Sequence, residues 1–153
     1  MINLKSEEVN KLKIFFLVDD DVDDQEFFRE ALNEIEPSIK LFTAFNGDQA
    51  LQKLKEWEGP LPDFIILDLN LPRMNGKKCL AEIKKNIALC EIPVVIYSTT
   101  SEKKIIAETE ALGAACFIVK PNRLSLLCDS LRDLLSVDWV KKEDAKLVMM
   151  NYK

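Results

Sequence analysis

Apolar positions along the chain fall into two kinds of pattern. Ile14-Phe15-Phe16-Leu17-Val18 and Phe64-Ile65-Ile66-Leu67 are unbroken apolar runs, and each ends in acid, at Asp19 and Asp68. Short continuous runs bounded by turn signals predict strands buried on both faces, as in parallel sheets. Residues 39–44, Val94-Val95-Ile96-Tyr97 and residues 114–119 give three more strands. Between the strands lie apolar stripes at helical spacing. They are Phe27, Phe28, Ala31, Leu32 and Ile35; then Ala50, Leu51, Leu54 and Trp57; then Cys79, Leu80, Ile83 and Ile87; then Ile105, Ile106, Thr109 and Leu112. A last helix is predicted over 123–135. Pro37, Asn46-Gly47, the run 59–62, Asn75-Gly76 and Gly113 punctuate the series. Asp21, Asp23 and Asp24 lie at the start of the first helix, where a cap and negative charge are favourable.

Five strands alternating with five helices imply an α/β fold, a doubly wound parallel sheet with helices on both faces. Right-handed crossovers restrict the winding, and the flavodoxin-like strand order 2-1-3-4-5 fits best. Residues 1–12 read as a polar lead-in and 13–135 as the domain. Residues 136–153 read as a tail in which Trp139, Val140, Leu147, Val148 and Met149 could dock as a short extra helix.

Composition narrows the function. The 153 residues are 48% hydrophobic, enough for one core, and no apolar run approaches a membrane span. The N-terminus lacks a signal peptide's apolar core, so a cytoplasmic protein that neither crosses nor binds membrane is expected. Cys79, Cys90, Cys116 and Cys128 have no Cys-x-x-Cys spacing and read as buried free thiols. A net charge of −5 argues against a nucleic-acid partner. There is no histidine, which removes the commonest general base and the usual phosphocarrier imidazole.

In a parallel sheet all strands point the same way, so the residues that follow them gather on one edge, where ligands of such sheets bind. Strand one delivers Asp19 and Asp20, strand three Asp68, strand four Ser98 and strand five Lys120. Three carboxylates in one crevice repel one another by roughly 4 kcal/mol per pair at 4 Å and an effective dielectric of 20. A cation among the oxygens and the nearby Lys120 relieve this. Carboxylates and a carbonyl suit a hard divalent ion such as Mg²⁺, with Mn²⁺ as its substitute. Phosphate needs hydroxyl or backbone N–H donors and a point-charge lysine, which Ser98, the Thr99 backbone and Lys120 supply. These residues together suggest a metal-assisted phosphoryl site with Asp68 as carboxylate nucleophile. Each has a plainer reading alone, since an Asp after a strand is usually a turn or cap residue and Lys-Pro is a loop. The joint pattern outweighs them.

The motifs Leu17-Val18-Asp19-Asp20-Asp21, Ile66-Leu67-Asp68-Leu69-Asn70-Leu71-Pro72-Arg73-Met74-Asn75-Gly76, Pro93-Val94-Val95-Ile96-Tyr97-Ser98-Thr99 and Lys120-Pro121 resemble the receiver domains of two-component response regulators. Ser98 lies 30 residues after Asp68 and Lys120 another 22 on, as is typical of that family. The resemblance covers residues 13–135. It implies that Asp68 accepts a phosphoryl group from a histidine kinase or histidine phosphotransfer protein. It also implies that Asp19, Asp20, Asp68 and the Asn70 carbonyl hold Mg²⁺, with Asp19 acting through water. Ser98 and Lys120 would engage the phosphoryl group, Phe117 would be the aromatic switch, and Asn70 and Thr100 would tune phosphoryl lifetime. A cis bond before Pro121 is a further implication. Ser98 stands where Thr is commoner and Thr99 where Ala is frequent, but no required group is missing.

The expectation is a stand-alone receiver, a monomer or weak dimer, that catalyses at most its own phosphoryl transfer and loss. Its protein target would read the 101–135 surface after a population shift. Three other readings compete. A degenerate receiver that docks without phosphorylation is opposed by retention of all the key groups. A Mg²⁺-dependent aspartyl phosphatase would place a second acid two residues after its nucleophile, where this chain has Asn70. A flavin-binding protein would need a phosphate loop after strand one, where this chain has three aspartates.

Overall fold

The structure is a computed structural model that describes residues 13–139 and 147–150. Among these, β1 (Ile14–Val18), β2 (Lys40–Ala44), β3 (Phe64–Leu67), β4 (Val94–Ser98) and β5 (Cys116–Val119) alternate with five helices. The helices are α1 (Val22–Ile35), α2 (Gly47–Lys55), α3 (Gly76–Lys85), α4 (Lys103–Ala111) and α5 (Leu124–Ser136). All strand pairs are parallel, in the order β2-β1-β3-β4-β5, as the alternation predicts.

Alternation along the buried strands divides the core in two. Phe16, Val18, Ile65, Leu67, Val94, Ile96 and Phe117 face one side, where Ala50, Leu54, Cys79, Leu80 and Ile83 of α2 and α3 cover them. Phe15, Leu17, Phe64, Ile66, Val95, Tyr97, Cys116 and Ile118 face the other, under Phe28, Ala31 and Leu32 of α1 and Leu127, Leu131 and Leu134 of α5. Strands apolar on both faces are what a two-sided layer of helices requires.

Several local expectations change. Within the tail, Val148–Met150 form a sixth strand (β6) parallel to β5, not a helix. Its backbone satisfies the edge of β5, with Val148 N donating to Ala115 O at 3.0 Å. Trp139 packs against the second core half, its Nε1 donating to Leu134 O at 2.9 Å, and Leu147 borders the first, while Val140 lies outside the described residues. Ile87 is not part of the α3 stripe. The helix ends at Lys85, the Asn86 side chain accepts from Ala88 N at 2.9 Å, and Ile87 is 91% exposed. Asn46 and Asn75, each with the glycine after it, are helix N-caps; their side chains accept from Gln49 N and Lys78 N. Three of the four cysteines are buried, whereas Cys90 is half-buried in the loop after α3. Every described peptide bond is trans, including the one before Pro121, which is the ordinary preference even for proline.

Candidate phosphoryl-acceptor site

Three of the candidate side chains are placed by a backbone hydrogen bond just past the end of a strand. Asp19 N donates to Ala44 O, Asp68 N to Val18 O and Lys120 N to Ser98 O, at 3.0, 3.0 and 2.7 Å. The sheet ladder therefore runs one residue into the site and fixes the Cα positions of three reactive groups. The loop after β3 folds back over Asp68 through Gly76. A Cβ at Gly76 would stand 2.5 Å from both Asp68 O and Leu69 Cα, so no larger residue fits there. Arg73, with φ of 67°, makes the left-handed turn that allows this return.

The carboxylates converge. Asp19, Asp20 and Asp68 each offer an oxygen, and these oxygens lie within 4.8 Å of one another. Asp19 and Asp68 are buried and Asp20 is exposed. Lys120 Nζ lies 3.0 Å from Asp19 Oδ2 and 3.0 Å from Asp68 Oδ2. The second oxygens are also held, Asp19 Oδ1 by Asp21 N at 2.9 Å and Asp68 Oδ1 by Asn70 N at 3.0 Å. Burial pushes the Asp19 carboxyl up to about 6, against the pull of the Asp21 amide and Lys120. Burial alone would lower Lys120, but Asp24, Asp19 and Asp68 outweigh it and raise the ammonium above its ordinary value.

This donor set fits a hard dication. Three carboxylates around one crevice with a single ammonium leave excess negative charge, and a hard dication prefers oxygen ligands. Asp19, Asp20 and Asp68 are the residues placed to hold it, with the Asn70 carbonyl on the adjoining loop.

The other predicted residues are distributed as follows. Ser98 is fully buried at the end of β4, and its Oγ accepts from Thr100 N at 3.3 Å. Thr99 is exposed, and Thr100 Oγ1 accepts from Glu102 N at 3.2 Å at the entry to α4. Phe117 is fully buried in the core half that Ile105 and Ile106 of α4 border. Lys120, Asp19 and Asp68 are thus in direct contact, while Ser98 and Thr100 bond each other at the end of β4 and Phe117 lies in the core.

Three site residues escaped sequence reasoning. Asp24 Oδ2 lies 2.8 Å from Lys120 Nζ. Buried Gln25 donates through Nε2 to Asp19 O at 2.7 Å and so anchors the acidic loop from α1. Tyr97 places its ring 5.1 Å from Lys120 Nζ, a cation–π contact beneath the ammonium. Gln25 alone had a legible signal, a polar residue three positions before the core residue Phe28 on one helix face.

Comparison with known proteins decides the family. The response regulator receiver domain matches residues 15–132. The chain belongs to the response regulator receiver family. Among its receiver relatives, the response regulator Rcp1 of Synechocystis is 35% identical over 123 residues, covering 78% of this chain and 84% of Rcp1. A protein-glutamate methylesterase/protein-glutamine glutaminase of Treponema denticola is 43% identical over 108 residues, but the match spans only 27% of that protein. The phosphorylated cyanobacterial phytochrome response regulator RcpA superposes with a TM-score of 0.75 at 32% identity, covering 88% of this chain and 98% of RcpA. The Mn²⁺-bound form of Rcp1 superposes at 0.71 with 29% identity, covering 86% and 97%. No described helix of this receiver is long and apolar enough to cross a membrane.

Proposed function

We propose that this receiver accepts a phosphoryl group on Asp68 from the phosphohistidine of a kinase or histidine phosphotransfer protein. The carrying observation is the Lys120 ammonium lying 3.0 Å from both Asp19 and Asp68, at the ends of three different strands. The donor's P–N bond breaks, a P–O bond to the Asp68 carboxylate forms, and the leaving imidazole is protonated. Lys120 exchanges its Asp68 contact for a phosphoryl oxygen and stabilises charge in the transition state. Asp19, Asp20, Asp68 and the Asn70 carbonyl would hold Mg²⁺, which would supply positive charge against the transferring phosphoryl oxygens. The Mn²⁺-bound form of Rcp1 supports a dication there.

The new phosphoryl group brings roughly two negative charges to the strand ends. Ser98 leaves Thr100 N and donates its hydroxyl to the phosphoryl group, joined by the Thr99 amide. Asn70 and Thr100 flank Asp68 and Ser98 and govern how readily water reaches the acyl phosphate. The output passes through α4, whose anchoring is light: its N-cap Glu102 makes no side-chain cap bond and Thr109 is its one buried residue. Phe117, packed in the core half that α4 borders, repacks as that helix shifts. A cytoplasmic protein partner then reads the surface of residues 101–135, beside which β6 lies along β5 and Leu147 N donates to Glu110 Oε2.

Transfer from a labelled, phosphorylated histidine phosphotransfer protein tests this reading. The label moves to the wild type with Mg²⁺, and moves neither in chelator nor to Asp68→Asn. Label that stays on every competent donor tried, with Mg²⁺ present, overturns the proposal.

A further inference from the structure

An ammonium has three N–H donors, and three carboxylates take those of Lys120: Asp24 Oδ2 at 2.8 Å, Asp19 Oδ2 at 3.0 Å and Asp68 Oδ2 at 3.0 Å. Asp19 and Asp68 also belong, with Asp20, to the oxygen cluster that suits a divalent ion. A bound dication and Lys120 would therefore draw on the same two carboxylates, and as like charges they repel. Asp24 stands apart. Among the described residues it is the Lys120 acceptor outside that cluster. It also differs in setting, since its side chain is 39% exposed while those of Asp19 and Asp68 are 0% and 7% exposed.

Its position is built rather than incidental. Asp24 sits in the first turn of α1, where Asp21 Oδ1 accepts both Asp23 N and Asp24 N, at 2.8 and 3.2 Å. An acid there is favoured by the helix dipole alone, and such an acid commonly points into water. This one instead meets a lysine 96 residues away in sequence, at the end of β5.

We propose that Asp24 is a positioning residue, the dedicated counterion that keeps Lys120 beside Asp68 when a divalent ion claims Asp19 and Asp68. In the metal-free protein Lys120 has three anionic partners and Asp24 is dispensable to it. With the ion present Asp24 is the partner left whole. Its removal therefore penalises the ion-bound state more than the ion-free state, and the penalty acts through Lys120. The inference rests on the phosphoacceptor reading above, because it concerns the same site's lysine and metal ligands.

The test is a double-mutant cycle on Mn²⁺ affinity, read by calorimetry or by electron paramagnetic resonance of the free ion, with no phosphodonor present. Asp24→Asn weakens Mn²⁺ binding about 5- to 10-fold, at or just below the lower limit of what outer-shell partners contribute, because the carboxylate is partly exposed. In a Lys120→Gln background the same substitution changes affinity less than about 2-fold, because the group it serves is gone. Thermal melts in chelator confirm that each variant is folded, and Asp24→Ala serves as a second probe. Equal weakening in both backgrounds would make Asp24 a distant field charge and overturn the inference, as would no weakening in either. A wild type that binds no divalent ion overturns the phosphoacceptor reading and this inference together. A wild type that binds Mn²⁺ normally, with Asp24→Asn unchanged, overturns the inference alone.

Discussion

Replacing Asp19 with Asn should stabilise the metal-free protein at neutral pH, even though it removes an ion pair. Burial raises the Asp19 carboxyl from its ordinary 3.8 to about 6. Between those values the folded chain holds a proton that the unfolded chain has released. Stability therefore falls as pH rises through that window and stays lower above it. A shift of roughly two units at 1.36 kcal/mol each makes the cost about 3 kcal/mol at neutral pH. Asn cannot ionise and does not incur it. The attraction of Lys120 is already contained in that value, and the ammonium keeps Asp24 and Asp68 at 2.8 and 3.0 Å. The Asn carbonyl can still accept from Asp21 N, which now donates to Asp19 Oδ1. The gain expected is therefore up to about 3 kcal/mol, and no uncompensated charge is left behind because two carboxylates still face Lys120. The assay is urea unfolding in chelator of both proteins, at about pH 7.5 and about pH 4.5. The advantage of Asp19→Asn should narrow by about 2 kcal/mol at the lower pH, where the wild-type carboxyl is largely protonated. A variant less stable than wild type at neutral pH, or an advantage that does not change with pH, would show that ionised Asp19 carries no burial cost.

Other substitutions probe the supports of the site. Gly76→Ala puts a methyl 2.5 Å from the Asp68 carbonyl and Leu69 Cα, both backbone atoms. It should cost about 2 kcal/mol or more in urea unfolding, in the manner of overpacking, and should slow phosphorylation of Asp68. Gln25→Leu leaves the carbonyl of Asp19 without the donor now 2.7 Å away. A loss of about 1–3 kcal/mol is expected by chemical denaturation. Ile83→Ala, at a fully buried position, should cost about 2–5 kcal/mol, whereas Ile87→Ser should stay within about 0.5 kcal/mol. Comparable losses at both positions would place the end of α3 beyond Lys85.

Strands and helices were legible because burial writes itself into composition. A strand covered on both faces has no polar position, so Phe64-Ile65-Ile66-Leu67 could hardly be read otherwise. The placing of Asp19, Asp68 and Lys120 followed from topology alone, since parallel strands bring their C-terminal ends together. What escaped notice depends on contacts between elements distant in sequence. Asp24 reads as one acid in a run until the fold brings the first turn of α1 to Lys120, and Tyr97 reads as a core aromatic until Lys120 lies over its ring. Ile87 fits the α3 periodicity, but periodicity carries no stop signal, and the Asn86 side chain supplies one by turning the chain locally. The three residues of β6 are too short a run for alternation or periodicity to register; pairing with β5 makes them a strand. Asn46-Gly47 and Asn75-Gly76 read as turns because the chemistry that suits Asn to a turn also suits it to a helix cap.

The central claim is that Asp68 is a phosphoryl acceptor, and intact mass addresses it most directly. The protein is incubated with acetyl phosphate and Mg²⁺ beside an Asp68→Asn variant, and the masses are recorded before the adduct hydrolyses. A single phosphoryl adduct is expected on the wild type alone, abolished by chelation. An adduct of equal yield on Asp68→Asn, or none on the wild type with acetyl phosphate and with a phosphohistidine donor alike, would contradict it.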